Sequence, residues 1–183
     1  VISRKALEML RTTECKLLIR PTFSDGAGTW ITPLPQHQRV VSTITPHLDM
    51  ALVEIEMEGK LSDTPFLDAL SKKDISINLA EAKRFTIAES DTDKVEEVMR
   101  SRGEELGIQS YQIRKELVAI AIVGEGMRKR PGVLRDIQET LEHNQVAWYL
   151  RSTSDISVLY VVEKKVYKTA IEALYRRFFE NSI

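Results

Sequence analysis

Leu117-Val118-Ala119-Ile120-Ala121-Ile122-Val123, then Gly124-Glu125-Gly126-Met127-Arg128-Lys129-Arg130-Pro131-Gly132, then Val133, Ile137 and Leu141 at four-residue spacing: this stretch decides the fold. The opening apolar run is rich in β-branched residues and short, which predicts a strand covered on both faces. The glycine loop ends it, and the four-residue recurrence predicts a helix with one buried stripe. Pro131 suits the first helical turn, where a missing N–H costs nothing. A strand, glycine loop and helix start can offer unpaired N–H groups and a partial positive charge to a carboxylate or phosphate. Two phosphate fingerprints fail: the third glycine of G-x-G-x-x-G would fall at Lys129, and no G-x-x-x-x-G-K-[ST] run exists. The plainer alternative is that Gly124 and Gly126 only let the chain turn, and Gly132 only lets helix and sheet approach.

The 183 residues, 43% hydrophobic and 29% charged, suit one or two small globular domains. A formal net charge of -1 argues against general affinity for nucleic acid. Cys15 is the one cysteine, so disulfides and cysteine metal sites are excluded and a reducing, cytoplasmic setting is expected. No apolar run approaches the ~20 residues of a membrane helix, and no signal peptide is visible. A start at Val1 suggests a fragment with an upstream partner.

Outward from the opening stretch, residues 3–10 predict a short helix, and Lys16 to Arg20 and Thr29 to Ile31 predict strands around a glycine turn, too little to fold alone. Pro33-Leu34-Pro35-Gln36-His37-Gln38 reads as a linker. Residues 39–45 form a spare strand ended by Pro46. Ala51, Val53, Ile55 and Met57 alternate with Glu54 and Glu56 as a half-wet strand. A helix with Phe66, Leu67 and Leu70 inward follows, then strands at Ile75-Ile77-Leu79 and residues 85–88. A helix carrying Val95, Val98 and Met99 comes next, closed by Gly107, and then a strand over residues 108–113. After the second glycine loop the plan recurs: Val146, Trp148 and Leu150, then residues 156–162, then a helix with Tyr167, Ala170, Ile171, Leu174 and Phe178 on one side.

Gly59 and Gly126 lie 67 apart, and Ile75-Ile77-Leu79 maps onto Val146-Trp148-Leu150 at 71. A β-α-β-β-α-β unit of ~70 residues is the ferredoxin-like plan. The second copy lacks a final strand, which would leave an open edge. The spare strand at 39–45 can complete it, nesting the first copy inside the second.

Residues 118–127, Arg130-Pro131-Gly132-Val133, Ser154-Asp155-Ile156-Ser157-Val158 and 170–179 closely resemble the second ACT unit of aspartate kinases. Lys16-Leu17-Leu18-Ile19-Arg20-Pro21-Thr22-Phe23 with Gly28-Thr29-Trp30-Ile31 resembles the segment closing that family's kinase domain. The resemblance implies an α+β fold of two nested ferredoxin-like ACT units, with antiparallel sheets and helices on one face. It divides the chain into 1–32 (end of the kinase domain), 33–38 (linker), 39–50 (strand completing the second unit), 51–116 (first unit) and 117–183 (second unit). It implies a homodimer through ACT units, in which a free amino acid, lysine or threonine, inhibits aspartate phosphorylation. ATP and Mg belong to the kinase domain upstream, so this piece is expected to hold no cofactor and to perform no chemistry.

An amino-acid effector needs N–H groups for its carboxylate and oxygens for its ammonium. The family takes both from the loop after the first strand and the opening of the second, with a partner unit closing the pocket. In the first unit these are Ser62, Asp63, Thr64 and Pro65, with Ser76, Ile77 and Asn78 opposite. Asp63 can hold the ammonium, or Ser62 and Asp63 merely cap the helix. Phe66 stands where the family has glycine. In the second unit the matching residues are Gly126, Met127, Pro131, Gly132 and Val133, serving either ligand or closure on the partner. Arg128-Lys129-Arg130 can attract an anion or simply be solvated.

Other functions of this plan lack their residues. The strand at 117–123 has no aromatics for RNA, no C-x-x-C loop serves a metal chaperone, and Arg128 with Asn144 poorly matches an acyl phosphatase. His37, His47 and His143 lack a paired nucleophile. A dimerisation scaffold that binds no ligand is the rival to a sensor.

Overall fold

The computed structural model describes residues 9–10, 13, 15–32, 40–57, 62–124, 127 and 130–180. The helix expected over 3–10, the linker at 33–38, and Gly126 with Arg128 and Lys129 lie largely or wholly outside them. Two compact units are present, residues 1–38 and 39–183. In the first, β1 (Leu17–Ile19) pairs antiparallel with β2 (Thr29–Ile31), Leu18 opposite Trp30.

Among the described residues the second unit is a six-stranded antiparallel sheet with four α-helices. Its elements are β3 (Thr43–Met57), α1 (Thr64–Ser71), β4 (Leu79–Glu81), β5 (Arg84–Ala88), α2 (Thr92–Arg102), β6 (Ile108–Val123), α3 (Val133–His143), β7 (Trp148–Thr153), β8 (Ser157–Glu163) and α4 (Tyr167–Tyr175). The strand order is β4-β5-β3-β6-β8-β7.

Two strands hold the nested plan together. β3 and β6 run the length of the sheet, and each serves both halves. Residues 50–54 of β3 pair with β5 and residues 52–57 with the start of β6, which makes the first half. Residues 43–47 pair with 119–123, so the strand upstream of the first half completes the second. The ladder maps onto itself when 67 is added to or subtracted from each number: Thr43↔Val123 becomes Glu56↔Ser110, His47↔Ala119 becomes Leu52↔Arg114, and Met50↔Leu117 maps to itself. The repeat is therefore a two-fold axis through the middle of the β3–β6 pair.

Several local expectations change. Pro46 does not end a strand; it sits within β3 opposite Ile120. Among the described residues, 43–47 have β6 on one side only, so a missing N–H is tolerated at that edge. The strands expected at 108–113 and 117–123 are one strand, β6, which passes through the bulged region instead of stopping. Asp49 and Glu116, one per long strand and related by the axis, carry positive φ of 57° and 56° at the register shifts. Ile75 and Ile77 precede β4 rather than belonging to it, and α2 ends at Arg102 with Gly103 at its C-cap.

All four helices cover one face. Ala51, Val53 and Ile55 of β3 meet Phe66 and Leu70 of α1 and Val95 and Met99 of α2. Val118, Ile120 and Ile122 of β6 meet Ile137 and Leu141 of α3 and Ala170 and Leu174 of α4. The other face packs on itself: Met50, Leu52, Leu117, Ala119, Leu150 and Val161 form one buried cluster. The sheet curls far enough that its end strands β4 and β7 touch, and the Arg84 guanidinium donates to the Tyr149 carbonyl while holding Glu54 at 2.8 Å. Gly124 lets the chain cross tightly at the edge, since a Cβ there would lie 1.8 Å from the Val40 carbonyl oxygen.

Candidate functional site

In the second half, Met127, Pro131, Gly132 and Val133 come together with Arg130, Leu134, Thr153, Ser154 and Val158 around a cavity of about 440 Å³. That volume falls in the range of small-molecule sites. Topology explains the gathering. β6 and β8 are antiparallel, with Val123 opposite Ser157, so the loop after β6 faces the β7–β8 hairpin.

Gly132 is the N-cap of α3, with φ 93° and ψ -22°, and supplies no side-chain acceptor to the helix start. The first-turn N–H groups there are natural partners for a carboxylate. Met127 and Val133 are buried and form an apolar floor. The Ser154 hydroxyl accepts from the Ser157 N–H at 3.0 Å and fixes the hairpin opposite. Arg130 is an exposed cation at the mouth, while Asp136 in the first turn is engaged by Arg177 at 2.8 Å.

The first-half residues behave differently. The Ser62 hydroxyl accepts from the Thr64 N–H at 3.2 Å and lies 2.8 Å from the Thr64 hydroxyl, so it caps the turn into α1. Asp63 is the N-cap by position, but its carboxylate makes no capping bond. Its carbonyl accepts from the Leu67 N–H at 3.0 Å, and Pro65 fills the first helical turn.

Ser76, Ile77 and Asn78 are not brought to this loop. Leu79 pairs with Thr86, which pairs with Leu52, so Asn78 sits level with the beginning of the first-half strand while Ser62 follows its end. The six residue-to-residue steps from Ala51 to Met57 separate the two groups by about 20 Å. Asn78 instead borders a cavity of about 410 Å³ with His47, Leu48, Asp49 and Met50. Ile77 packs on the first-half core and Ser76 is exposed. Within one chain, then, the loop and the opening of the second strand occupy opposite ends of a half. Thr153, Ser154 and Val158, which the sequence reading did not assign to the loop, stand beside it, and the strand order alone would have indicated them.

Among the described residues no group of three or more His, Cys, Asp or Glu is placed to hold a metal, and no helix is long and apolar enough to cross a membrane.

The ACT domain profile matches residues 120–178, most of the second half. Aspartate kinase from Pseudomonas fluorescens is 26% identical over 97% of this chain and 46% of that protein, so the chain spans about half the length of such relatives. The regulatory subunit of aspartate kinase from Thermus thermophilus, ligand free, superposes with a TM-score of 0.67 at 16% identity, covering 76% of this chain and 99% of that one. E. coli aspartokinase III in complex with lysine and aspartate superposes with a TM-score of 0.71 at 15% identity, over 94% of this chain and 41% of that one. Residues 120–178 thus match the ACT domain, the chain is similar to aspartate kinases along nearly its whole length, and its fold is the nested one of an aspartokinase regulatory subunit.

Proposed function

We propose that this chain is the regulatory region of an aspartate kinase and that its second half binds a free amino acid, lysine or threonine, as a feedback signal. The observation that carries the reading is the uncapped start of α3 at Gly132, opening on a cavity with an apolar floor and a Thr153–Ser154 rim. The helix start takes the effector carboxylate. The ammonium takes oxygens from the rim or from a second copy, whose Ser76 to Asn78 can approach only from outside the chain. Two strand edges favour such pairing of copies, because among the described residues 43–47 and 108–114 each have a sheet neighbour on one side only. The catalytic residues and the ATP and Mg sites then belong to the remainder of the parent protein.

Calorimetry of the chain with lysine, threonine and methionine tests this reading. Heat that saturates with one of them, and is lost in Gly132→Asp, supports a sensor. Silence with all three leaves the ligand-free scaffold, and sedimentation at micromolar concentration reads the dimer in either case.

A further inference from the structure

The two-fold repeat pairs residues between halves, and at one place the paired residues differ sharply in charge. His47, Leu48, Asp49, Asn78 and Ala88 border the 410 Å³ cavity on one side of the axis. Their counterparts Arg114, Lys115, Glu116, Tyr149 and Glu163 border a cavity of about 500 Å³ on the other, joined by Lys164 and Lys165. The ladder fixes the correspondence: Met50 opposite Ala88 matches Leu117 opposite Glu163, and Leu79 beside Thr86 matches Leu150 beside Val161. A histidine, a leucine, an asparagine and an alanine in one cavity are an arginine, a lysine, a tyrosine and a glutamate in the other.

Most charges in the second cavity are already committed. The Tyr149 hydroxyl donates to Glu163 at 2.6 Å, and Lys165 pairs with the same carboxylate. Lys164 reaches across the axis to Asp49 at 2.8 Å, and Glu116 faces that ammonium. Arg114 is different. Its guanidinium lies over the Tyr149 ring, 4.5 Å from the centroid, and its Nε is buried with no hydrogen-bond partner among the described residues. A buried donor left unpaired is costly, and Arg114 borders the cavity, where an oxyanion would pair with its charge. Lys115, exposed beside it at the bulge, also has no carboxylate within ion-pair distance among the described residues.

We propose that this pocket binds the phosphate group of a small metabolite. Arg114, which also faces Glu163 electrostatically, supplies a guanidinium stacked on Tyr149, and Lys115 supplies a second positive charge, so two cations that form no ion pair among the described residues match a dianion. The site is separate from the α3 cavity. Leu117 and Glu163 mark one end of the β6–β8 pair and Val123 and Ser157 the other, about 20 Å away.

The test is calorimetric titration of the whole chain with inorganic phosphate at neutral pH and constant ionic strength, beside a matching chloride titration. Saturable binding of one phosphate per chain is expected, weakened about tenfold or more in Arg114→Gln. Lys115→Gln, an exposed substitution that leaves the core intact, should weaken it several-fold, and His47→Gln in the opposite cavity should leave it unchanged. No saturable heat, equal response to chloride, or undiminished affinity in both Arg114→Gln and Lys115→Gln would overturn the proposal.

Discussion

In the first half Phe66 of α1 meets Phe85 of β5 with ring centroids 5.6 Å apart. At the equivalent places the second half has Ile137 and Tyr160, and Trp148 packs edge-on against Tyr160 at 5.3 Å where the first half has Ile77. One backbone plan is filled twice, with the bulky partner of the strand aromatic moved from helix to neighbouring strand. Cores tolerate such exchanges when total volume is kept. The loops diverge more. A two-residue turn, Ala82 and Lys83, joins β4 to β5, and Lys83 Nζ donates to the Met57 carbonyl at 3.3 Å. The second half has the wider 154–156 hairpin and a cavity beneath it. Ladder geometry is thus shared, while ligand space depends on the turns.

The comparison breaks most decisively if the halves unfold separately. Phe66→Ala should destabilise residues 39–183 by about 3–5 kcal/mol and Ile137→Ala by about 2–5 kcal/mol. Because β3 and β6 run through both halves, urea unfolding of each variant should stay a single transition with an unchanged slope. Two transitions in Phe66→Ala would show that the shared strands do not couple the halves.

Gly132→Ala probes the site-bearing loop. Among the described residues a Cβ there meets only Arg135 Nη2 at 3.6 Å, so the cost is conformational, φ 93° being unfavourable for an L side chain. About 1–2 kcal/mol of stability should be lost in denaturant melts. Effector heat should weaken with it. Full affinity in this variant would detach the helix start from ligand binding.

Tyr149 separates the halves by pH. Its hydrogen bond to Glu163, with burial adding, raises the phenol above its ordinary value of about 10. A raised folded-state value means stability that is whole below that ordinary value and is lost as pH climbs through the raised one. Glu163 is held low, first by Lys165 and then by Tyr149, so its contribution is present above the carboxylate range and fades as pH falls through the lowered value. Tyr149→Phe should flatten the alkaline decline of the urea midpoint and trim the acid one. An unchanged alkaline limb would show that the bond does not matter in solution. Asn78→Ala at the equivalent position should move neither limb.

Much of this was legible in the chain. The 67-residue and 71-residue offsets are the offsets of the ladder and of the α1–β4 and α3–β7 segments, because buried alternation and helical stripes survive in each copy. The borrowed strand was legible as a surplus element beside a missing one. Pro46 misled because an edge position removes the penalty on a missing N–H, and the sequence does not mark edges. The first-half residues show the same limit: Ser62 to Pro65 and Ser76 to Asn78 are near in sequence, but strand direction sends them to opposite ends of one chain. The Arg114 cavity was invisible, since Tyr149, Lys164 and Arg114 meet only once the sheet has curled.

The finest comparison lies at the helix ends. α1 and α3 finish alike: Ile75 N–H bonds the Leu70 carbonyl at 3.1 Å and Val146 N–H bonds Leu141 at 2.9 Å, each preceded by a left-handed residue, Asp74 and Gln145, both at φ 56°. Glycine is the usual occupant of that position. Gln145→Gly should therefore raise the denaturation midpoint, by up to about 1 kcal/mol in stability. Asp74→Gly should gain less, because a short polar side chain tolerates the left-handed region better than a glutamine does. Equal gains would mean that the identity of the side chain is immaterial there. A loss in either variant would show that the side chain makes a contact worth more than the strain it relieves, and the two helix ends would no longer count as equivalent.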